Sequence, residues 1–281
     1  MRIISGKFRS RQLFSPKDAS TTRPMPDRVK VSLFGLLHGN CEGANVLDCF
    51  AGTGAVGLEA ISRGASRCVF VERDRKIADI LEQNIRTLGC EDQCEVVRSD
   101  ALGPATLARA PRPVTLAFFD PPYPLVFEPQ GWERVRRQFA RVIDLLSDDG
   151  FAVLRTPWPF RHEELIHSDG RREWRSPLAG MAEQRQKRFE QRRHPGRLDD
   201  RDARWDSQEW VGDAVDVEHI KAESDAALQE WRERQDRLDA EPEFEIVRHD
   251  ADLTFEIAEG PETHVYSSQA VHLYMRKKPP G

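Results

Sequence analysis

Between Asn45 and Thr156 the apolar positions alternate between two periodicities. Short apolar runs stand at Val46-Leu47-Asp48-Cys49-Phe50, Cys68-Val69-Phe70-Val71-Glu72, Glu95-Val96-Val97, Val114 to Phe119 and Phe151-Ala152-Val153-Leu154. Their length and β-branched or aromatic content predict buried strands. Between them lie Gly57 to Arg63, Arg75 to Leu88 and Trp132 to Leu146, each with apolar residues at helical spacing. Strands that alternate with helices predict an α/β fold. Its doubly wound, mostly parallel sheet would carry a ligand site at the carboxyl ends of the strands.

The flanks differ. In Met1 to Asn40, the residues Ile3, Ile4, Phe8, Leu13 and Phe14 predict a small hairpin, and Thr21 to Pro26 a loop. A helix should follow with Asp27 as its N-cap and Val29, Leu33, Leu36 and Leu37 on one face. From Pro157 to Pro242 apolar periodicity fades. The first half is basic and the second, from Asp206 on, acidic, which predicts a mobile or partly helical, self-neutralising insertion. Strand patterns return at Phe244-Glu245-Ile246-Val247 and Val271 to Met275, expected to close the sheet as an antiparallel pair. The expected organisation is an N-terminal extension, 1–40, a main domain of 41–156 plus 243–281, and a charged, mobile insertion, 157–242.

Composition sharpens this division. The chain has 281 residues, of which 39% are hydrophobic and 32% charged, above the roughly 25% usual for globular proteins. One segment must therefore be unusually polar. The formal net charge is only -5, but Met1 to Asn40 holds eight Lys or Arg against two acids. Such a local basic patch suits phosphates, although a solvated basic face has the same composition. The five cysteines form no C-x-x-C pair, so no metal site and a reducing compartment are expected. MRIISGKFRSR has no apolar signal core, which with the absence of long apolar stretches predicts a cytoplasmic protein away from membranes.

Gly52-Thr53-Gly54-Ala55-Val56-Gly57 follows the first strand and opens a helix, matching G-x-G-x-x-G in the strand-turn-helix context that motif requires. Residues without a Cβ let the backbone approach a ligand and let the helix pack closely on the strand. Glu72, twenty residues after Gly52, ends the next strand, where a carboxylate can accept ribose hydroxyls. The pair suits an adenosine-containing cofactor without choosing among such cofactors. Asp48, beside the turn, is placed for an ammonium group, and Asp100 in Ser99-Asp100-Ala101 for an adenine amino group. Surface or capping carboxylates would look the same.

Asp120-Pro121-Pro122-Tyr123 directly follows the fourth apolar run. An exocyclic amine on an aromatic base delocalises its lone pair into the ring and is a poor nucleophile. A carboxylate that accepts one N–H, with a backbone carbonyl accepting the other, localises that pair toward a methyl donor. Asp120 and the Pro121 carbonyl are the candidates, the prolines preorganise the loop, and Tyr123 offers a stacking face for a flipped base. A proline-rich turn with a surface aspartate is the plainer reading.

These residues together resemble a family. Met1-Arg2-Ile3-Ile4-Ser5-Gly6-Lys7, Thr22-Arg23-Pro24 with Asp27-Arg28-Val29, Asp48 to Glu59, Ser62-Arg63-Gly64-Ala65 and the tetrad are similar to the bacterial RsmD-type 16S rRNA guanine-N2 methyltransferases. The resemblance is close over Met1 to Arg155 and loose over the final strands. It implies a Rossmann-like class I methyltransferase fold with a seven-stranded sheet, an antiparallel C-terminal hairpin and a small N-terminal β-hairpin/helix extension. The implied activity is transfer of a methyl group from S-adenosyl-L-methionine to the N2 amino group of a guanine in 16S rRNA or the assembling small subunit, by a monomer. Asp48, Ala51, Gly52, Gly54, Glu72, Asp100 and Ala101 would bind the cofactor. Asp120, Pro121, Pro122 and Tyr123 would hold the guanine. Arg2, Lys7, Arg9, Arg11, Arg23 and Arg28 would contact RNA, with Arg23, Asp27 and Arg28 at the entrance. Two departures stand out: the 157–242 stretch is longer than the family pattern, and its aromatic-glycine signature appears only as Tyr266-Ser267-Ser268.

Rival readings share parts of the pattern. A DNA adenine-N6 methyltransferase would use the same tetrad, but the acidic second half of the insertion would repel a phosphate backbone. A protein glutamine methyltransferase would lead its tetrad with Asn. A non-catalytic rRNA-binding assembly factor would be expected to lose Glu72, Asp120 or Tyr123, and all three are present. A dehydrogenase would share the glycine loop but has no use for the tetrad.

Overall fold

The computed structural model describes residues 1–16, 25–175 and 244–278. Arg23 and most of the charged stretch, 176–243, lie outside the described residues. The described residues fall into two compact units, one comprising 1–16, 25–163, 174–175 and 248–278 and the other 164–173 and 244–247. Every candidate site residue described lies in the first.

The predicted strands form where apolar residues fill both faces of a sheet: β1 (Asn45–Cys49), β2 (Arg67–Val71), β3 (Cys94–Val97), β4 (Val114–Phe119) and β5 (Leu146–Pro157). With β9 (Ala258–Tyr266) and β10 (Gln269–Arg276) they make a seven-stranded sheet of order β3-β2-β1-β4-β5-β10-β9. Pairing is parallel from β3 through β5, and β10 lies antiparallel to both β5 and β9. The chain runs outward from β1 to β3 on one side and from β4 onward on the other. The switch point, where ligand crevices open in such sheets, is therefore at the carboxyl ends of β1 and β4.

Successive strand residues face opposite sides, and each side has its own core. Val46, Phe70, Leu116, Phe118 and Val153 pack with α2 (Gly57–Ser62) and α3 (Arg75–Leu88). Leu47, Val69, Ala117, Phe119 and Leu154 pack with α6 (Pro129–Ile143), where Phe139 meets Phe119, Phe255 and Tyr274, each pair of ring centroids 5.3 Å apart. The helix α3 starts on an Asp74 cap that accepts the Lys76 and Ile77 amides and ends on Gly89 at φ 65, a left-handed cap that suits glycine.

The N-terminal stretch shares the first core. Ile3, Leu13, Val29, Leu33, Phe34 and Leu37 are buried with Leu58 and Ile61 of α2. Its hairpin is reduced to one bridge, Arg2 to Gln12, with the Leu13 amide donating to the Met1 carbonyl. The helix α1 (Asp27–Leu36) departs from expectation in two ways. Its N-cap is Pro26, and Asp27 is the first helical residue, paired with Arg2 instead of capping. Its inner face carries Lys30 and Phe34, while Leu36 is exposed, because Glu59 supplies a buried charge for Lys30.

The segment is held by polar bonds as well. Glu59 on α2 accepts the amides of Ile4 and Ser5 at 2.7 and 3.0 Å, Arg63 Nε at 2.8 Å, and pairs with buried Lys30 at 3.4 Å. Lys30 Nζ also donates to the Arg2 carbonyl at 2.6 Å. Gly6, at φ 83, lies against the Ser62 carbonyl, where any side chain would collide with backbone.

Two further expectations are corrected. The Phe244–Val247 run does not close the main sheet. It lies in β8 (Phe244–Asp250), part of a three-stranded sheet of order β7-β6-β8 with β6 (Arg161–His167) and β7 (Arg172–Arg175). The strand beside β10 is β9, an edge strand largely exposed and interrupted by Gly260-Pro261, so its apolar signal is too thin to read. Residues 157–175, expected to open a mobile insertion, instead complete β5 and form β6 and β7, where His162 and Leu165 point inward among charged neighbours. At the β9–β10 turn, Ser267 takes φ 59, the left-handed conformation that a glycine would supply more easily.

Candidate active site

Four adjacent strands each deliver a carboxylate at or just beyond their carboxyl ends: Asp100 after β3, Glu72 after β2, Asp48 in β1 and Asp120 after β4. The parallel register produces this row. Asp48 lies beside Phe70 and Phe118, and Val71 beside Val97, so residues just past each strand emerge at one edge.

Asp48 is buried, and its Oδ2 accepts the Gly57 amide at 2.9 Å, tying the strand to the first turn of α2. Burial raises its carboxyl to about 7. The nearby Asp120 and Glu72 charges push the same way, and the Gly57 hydrogen bond opposes them. Glu72 spans the glycine turn, with Oε2 accepting the Gly52 amide at 2.9 Å and Oε1 the Asp74 amide at 2.8 Å.

The glycines divide the work. Gly52 has φ 56, and a Cβ there would meet nothing within 4 Å, so a left-handed backbone faces open space. A Cβ on Gly57 would collide with the Phe70 ring and approach Cys68 Sγ to 2.7 Å, so this position lets α2 lie close on the sheet. Phe50, just before the turn, also takes a positive φ of 60 and stacks edge-on against Phe119 at 5.2 Å. Asn84 of α3 joins the turn to the N-terminal segment. Its amide donates to the Thr53 and Phe14 carbonyls, and its oxygen accepts the Phe14 amide.

The remaining expected cofactor residues are less closely tied. Ala51 is half-buried at the turn. Asp100 accepts the Leu102 amide at 3.0 Å and lies 3.7 Å from Arg134. Ala101 is buried in the second core, its carbonyl accepting from Gln138 and from Thr106 of α4 (Pro104–Arg109).

The tetrad lies across the switch point from the glycine turn. The Asp120 amide approaches the Cys49 carbonyl at 3.5 Å, Pro121 is buried and Pro122 exposed, and Tyr123 begins α5 (Tyr123–Phe127). Tyr123 lies edge-on to Phe127 at 6.1 Å. The short helix is fastened from behind, where His162 Nε2 donates to the Val126 carbonyl at 2.9 Å.

Sequence reasoning missed one charged residue here. Arg155 of β5 forms a two-pronged pair with Asp120: Nε to Oδ1 and Nη2 to Oδ2, both 2.7 Å. Its Nη1 donates to Gln269 Oε1 at 2.7 Å, and its guanidinium carbon lies 5.9 Å from the Tyr123 ring centre. Burial pulls the guanidinium down, but the Asp120 carboxylate more than offsets it and holds Arg155 above its ordinary value. The signal available in sequence was one charge ending the apolar run Phe151 to Leu154.

Of the expected RNA contacts, Arg2, Lys7, Arg9, Arg11 and Arg28 are exposed. Arg2 pairs with Asp27 at 3.2 Å, Lys7 donates to Gln93 at 2.6 Å, and Arg11 to the Thr87 carbonyl at 3.1 Å. Among the described residues no group of three or more His, Cys, Asp or Glu could hold a metal ion, and no helix is long and apolar enough to cross a membrane.

The family model described as Conserved hypothetical protein 95 matches residues 1–157. Ribosomal RNA small subunit methyltransferase D of Escherichia coli strain K12 is 38% identical over 151 residues, which cover 54% of this chain and 69% of that protein. The Bacillus subtilis protein YlbH is 37% identical over 158 residues, 54% of this chain and 80% of its own length. The solved structure of the Escherichia coli protein yhhF superposes with a TM-score of 0.54 at 22% identity, covering 99% of this chain and 98% of that one, a likeness of fold.

Proposed function

The chain belongs to the RsmD-type methyltransferase family, and on that premise we propose that it moves a methyl group from S-adenosylmethionine to the exocyclic N2 of a guanine in small-subunit (16S) rRNA. The observation that carries the reading is the position of Asp120 to Tyr123, across the β1/β4 switch point from a glycine turn braced by Glu72. The site's residues suit the donor. Gly52 leaves open space against its backbone, and a row of carboxylates favours a cationic ligand over a phosphate-bearing one. When bound, S-adenosylmethionine would supply a methyl group on a positively charged sulfur, whose bond to that methyl breaks as the nitrogen bond forms, leaving a neutral thioether.

The chain's own residues do the rest. Glu72 would take ribose hydroxyls on lone pairs left free by the Gly52 and Asp74 amides, and Asp48 would take the ammonium. Ala51, Gly52 and Gly54 would supply backbone, and Asp100 with Ala101 would hold the adenine. Asp120 accepts one N–H of the guanine amine and the Pro121 carbonyl the other, which aims the nitrogen lone pair. Tyr123 stacks on the base. The proton leaves readily once nitrogen carries the methyl group, and Asp120 or water receives it. Most of the acceleration then comes from alignment and fixed charge. Exposed Arg2, Lys7, Arg9, Arg11 and Arg28 would meet the RNA backbone, on a stretch bonded to α2 through Glu59, and Arg23 is assigned the same role by its sequence alone.

The test supplies isotope-labelled S-adenosylmethionine with small ribosomal subunits, naked 16S rRNA, duplex DNA or total protein, and identifies the labelled nucleoside by mass spectrometry. N2-methylguanosine from ribosomal substrate is the expected product. N6-methyladenine from DNA would assign the tetrad to a different partner, and no transfer to any acceptor would favour a binding role.

A further inference from the structure

We propose that Arg155 is a positioning residue for methyl transfer, fixing the plane in which the Asp120 carboxylate meets the acceptor amine. This rests on the role given to Asp120 above. The register brings Arg155 near both partners: Phe119 lies beside Leu154, so Asp120 comes level with Arg155, and on the other side Arg155 pairs with Val271 of β10, two residues from Gln269. The side chain is only 9% exposed, and three of its nitrogens are each 2.7 Å from an acceptor, two on Asp120 and one on Gln269.

Four physical consequences follow. The terminal torsion of an aspartate is broad, and a two-pronged guanidinium pair removes that freedom because the two planar groups must be coplanar. Each carboxylate oxygen gives one lone pair to Arg155 and keeps another, so an amine N–H is still accepted, but from a fixed direction. The guanidinium also sets a positive charge against Asp120, whose carboxylate is repelled by that of Asp48. The same cation lies by Tyr123, so one side chain sets both the acceptor carboxylate and the stacking ring. A lysine would keep the charge and lose the fork.

The experiment compares wild type with Arg155→Ala, Arg155→Lys and Asp120→Asn in the full chain. It measures S-adenosylmethionine affinity by calorimetry, thermal stability, and kcat and KM on small ribosomal subunits, with rates referred to cofactor-binding sites. Arg155→Ala should lose about a hundredfold in kcat, the scale of an ångström's misplacement, with cofactor affinity and KM nearly unchanged. Millimolar guanidinium should restore part of that rate without raising the melting temperature, and should do nothing for Asp120→Asn. Should the alanine variant not fold, Arg155→Lys decides, with a lowered kcat at unchanged KM expected. A kcat near wild type in a folded Arg155 variant, a loss confined to KM, or the absence of rescue would overturn the inference while leaving Asp120 in place. Full activity in Asp120→Asn would instead overturn the reading on which it rests.

Discussion

Glu72 braces Gly52 across twenty residues of sequence: the carboxylate at the end of β2 accepts the amide of the turn that follows β1, at 2.9 Å. The turn's left-handed glycine is thus held without any ligand, and the same carboxylate keeps lone pairs for the proposed ribose contact. Glu72→Ala should therefore weaken S-adenosylmethionine binding at least tenfold, since one charge-assisted hydrogen bond contributes about 1.5–3 kcal/mol. Calorimetric titration measures this, and an unchanged Kd would remove Glu72 from the cofactor site.

Asp48 should make cofactor binding depend on pH. Burial raises its carboxyl to about 7, and a cation bound beside it favours the ionised form, so binding releases a proton. Affinity should rise with pH toward about 7 and level off above it, and Asp48→Asn should flatten the dependence. Titrations in two buffers of different ionisation enthalpy count the released proton. A flat wild-type profile places the cation elsewhere.

The Glu59 cluster should dominate the stability of the N-terminal segment. Removing one partner of a buried ion pair costs about 3–5 kcal/mol, and Glu59 also satisfies two amides and Arg63. Glu59→Ala should lower the urea midpoint by a corresponding amount and speed hydrogen exchange at Ile4 and Ser5. Lys30→Met should cost much less, because Arg63 and the amides still hold Glu59. Equal losses in the two variants would contradict this ranking.

Acid should destabilise the fold through His272. The ring is buried between Thr156 and Thr263, each 2.9 Å away, and burial lowers it to about 4. The folded state disfavours protonation, so nothing is lost above the unfolded value of about 6.5. A penalty grows as pH falls from there to about 4, reaching roughly 3 kcal/mol. Denaturant unfolding at pH 7 and pH 4.5 should show a larger loss for wild type than for His272→Asn.

Much of this was legible in the chain. The strand runs, the glycine turn and the tetrad are local patterns, and the helix from Arg75 to Leu88 falls at its predicted bounds because its cap, its apolar spacing and Gly89 agree. The closing hairpin was misread because β8 and β10 carry the same kind of apolar run, and pairing depends on what each strand meets in space. Lys30 was unreadable as a buried residue, since its partner lies twenty-nine positions away on α2.

The sequence by itself determined which residues are proposed to carry the chemistry: Asp48, the glycines of the turn, Glu72 and Asp120 to Tyr123. Each is announced by its neighbours, because a turn or a strand end is a property of a few consecutive residues. Only the tertiary structure decided how those residues are held. Asn84 fastens the turn to the N-terminal segment, Glu59 fastens that segment to α2, and Arg155 with Gln269 sets Asp120. These are pairings across β4, β5 and β10, or from α2 and α3 to the N-terminal segment and the glycine turn, created when parts of the chain far apart in sequence come together. A single charge at the end of an apolar run does not name its partner until the sheet brings the two side by side.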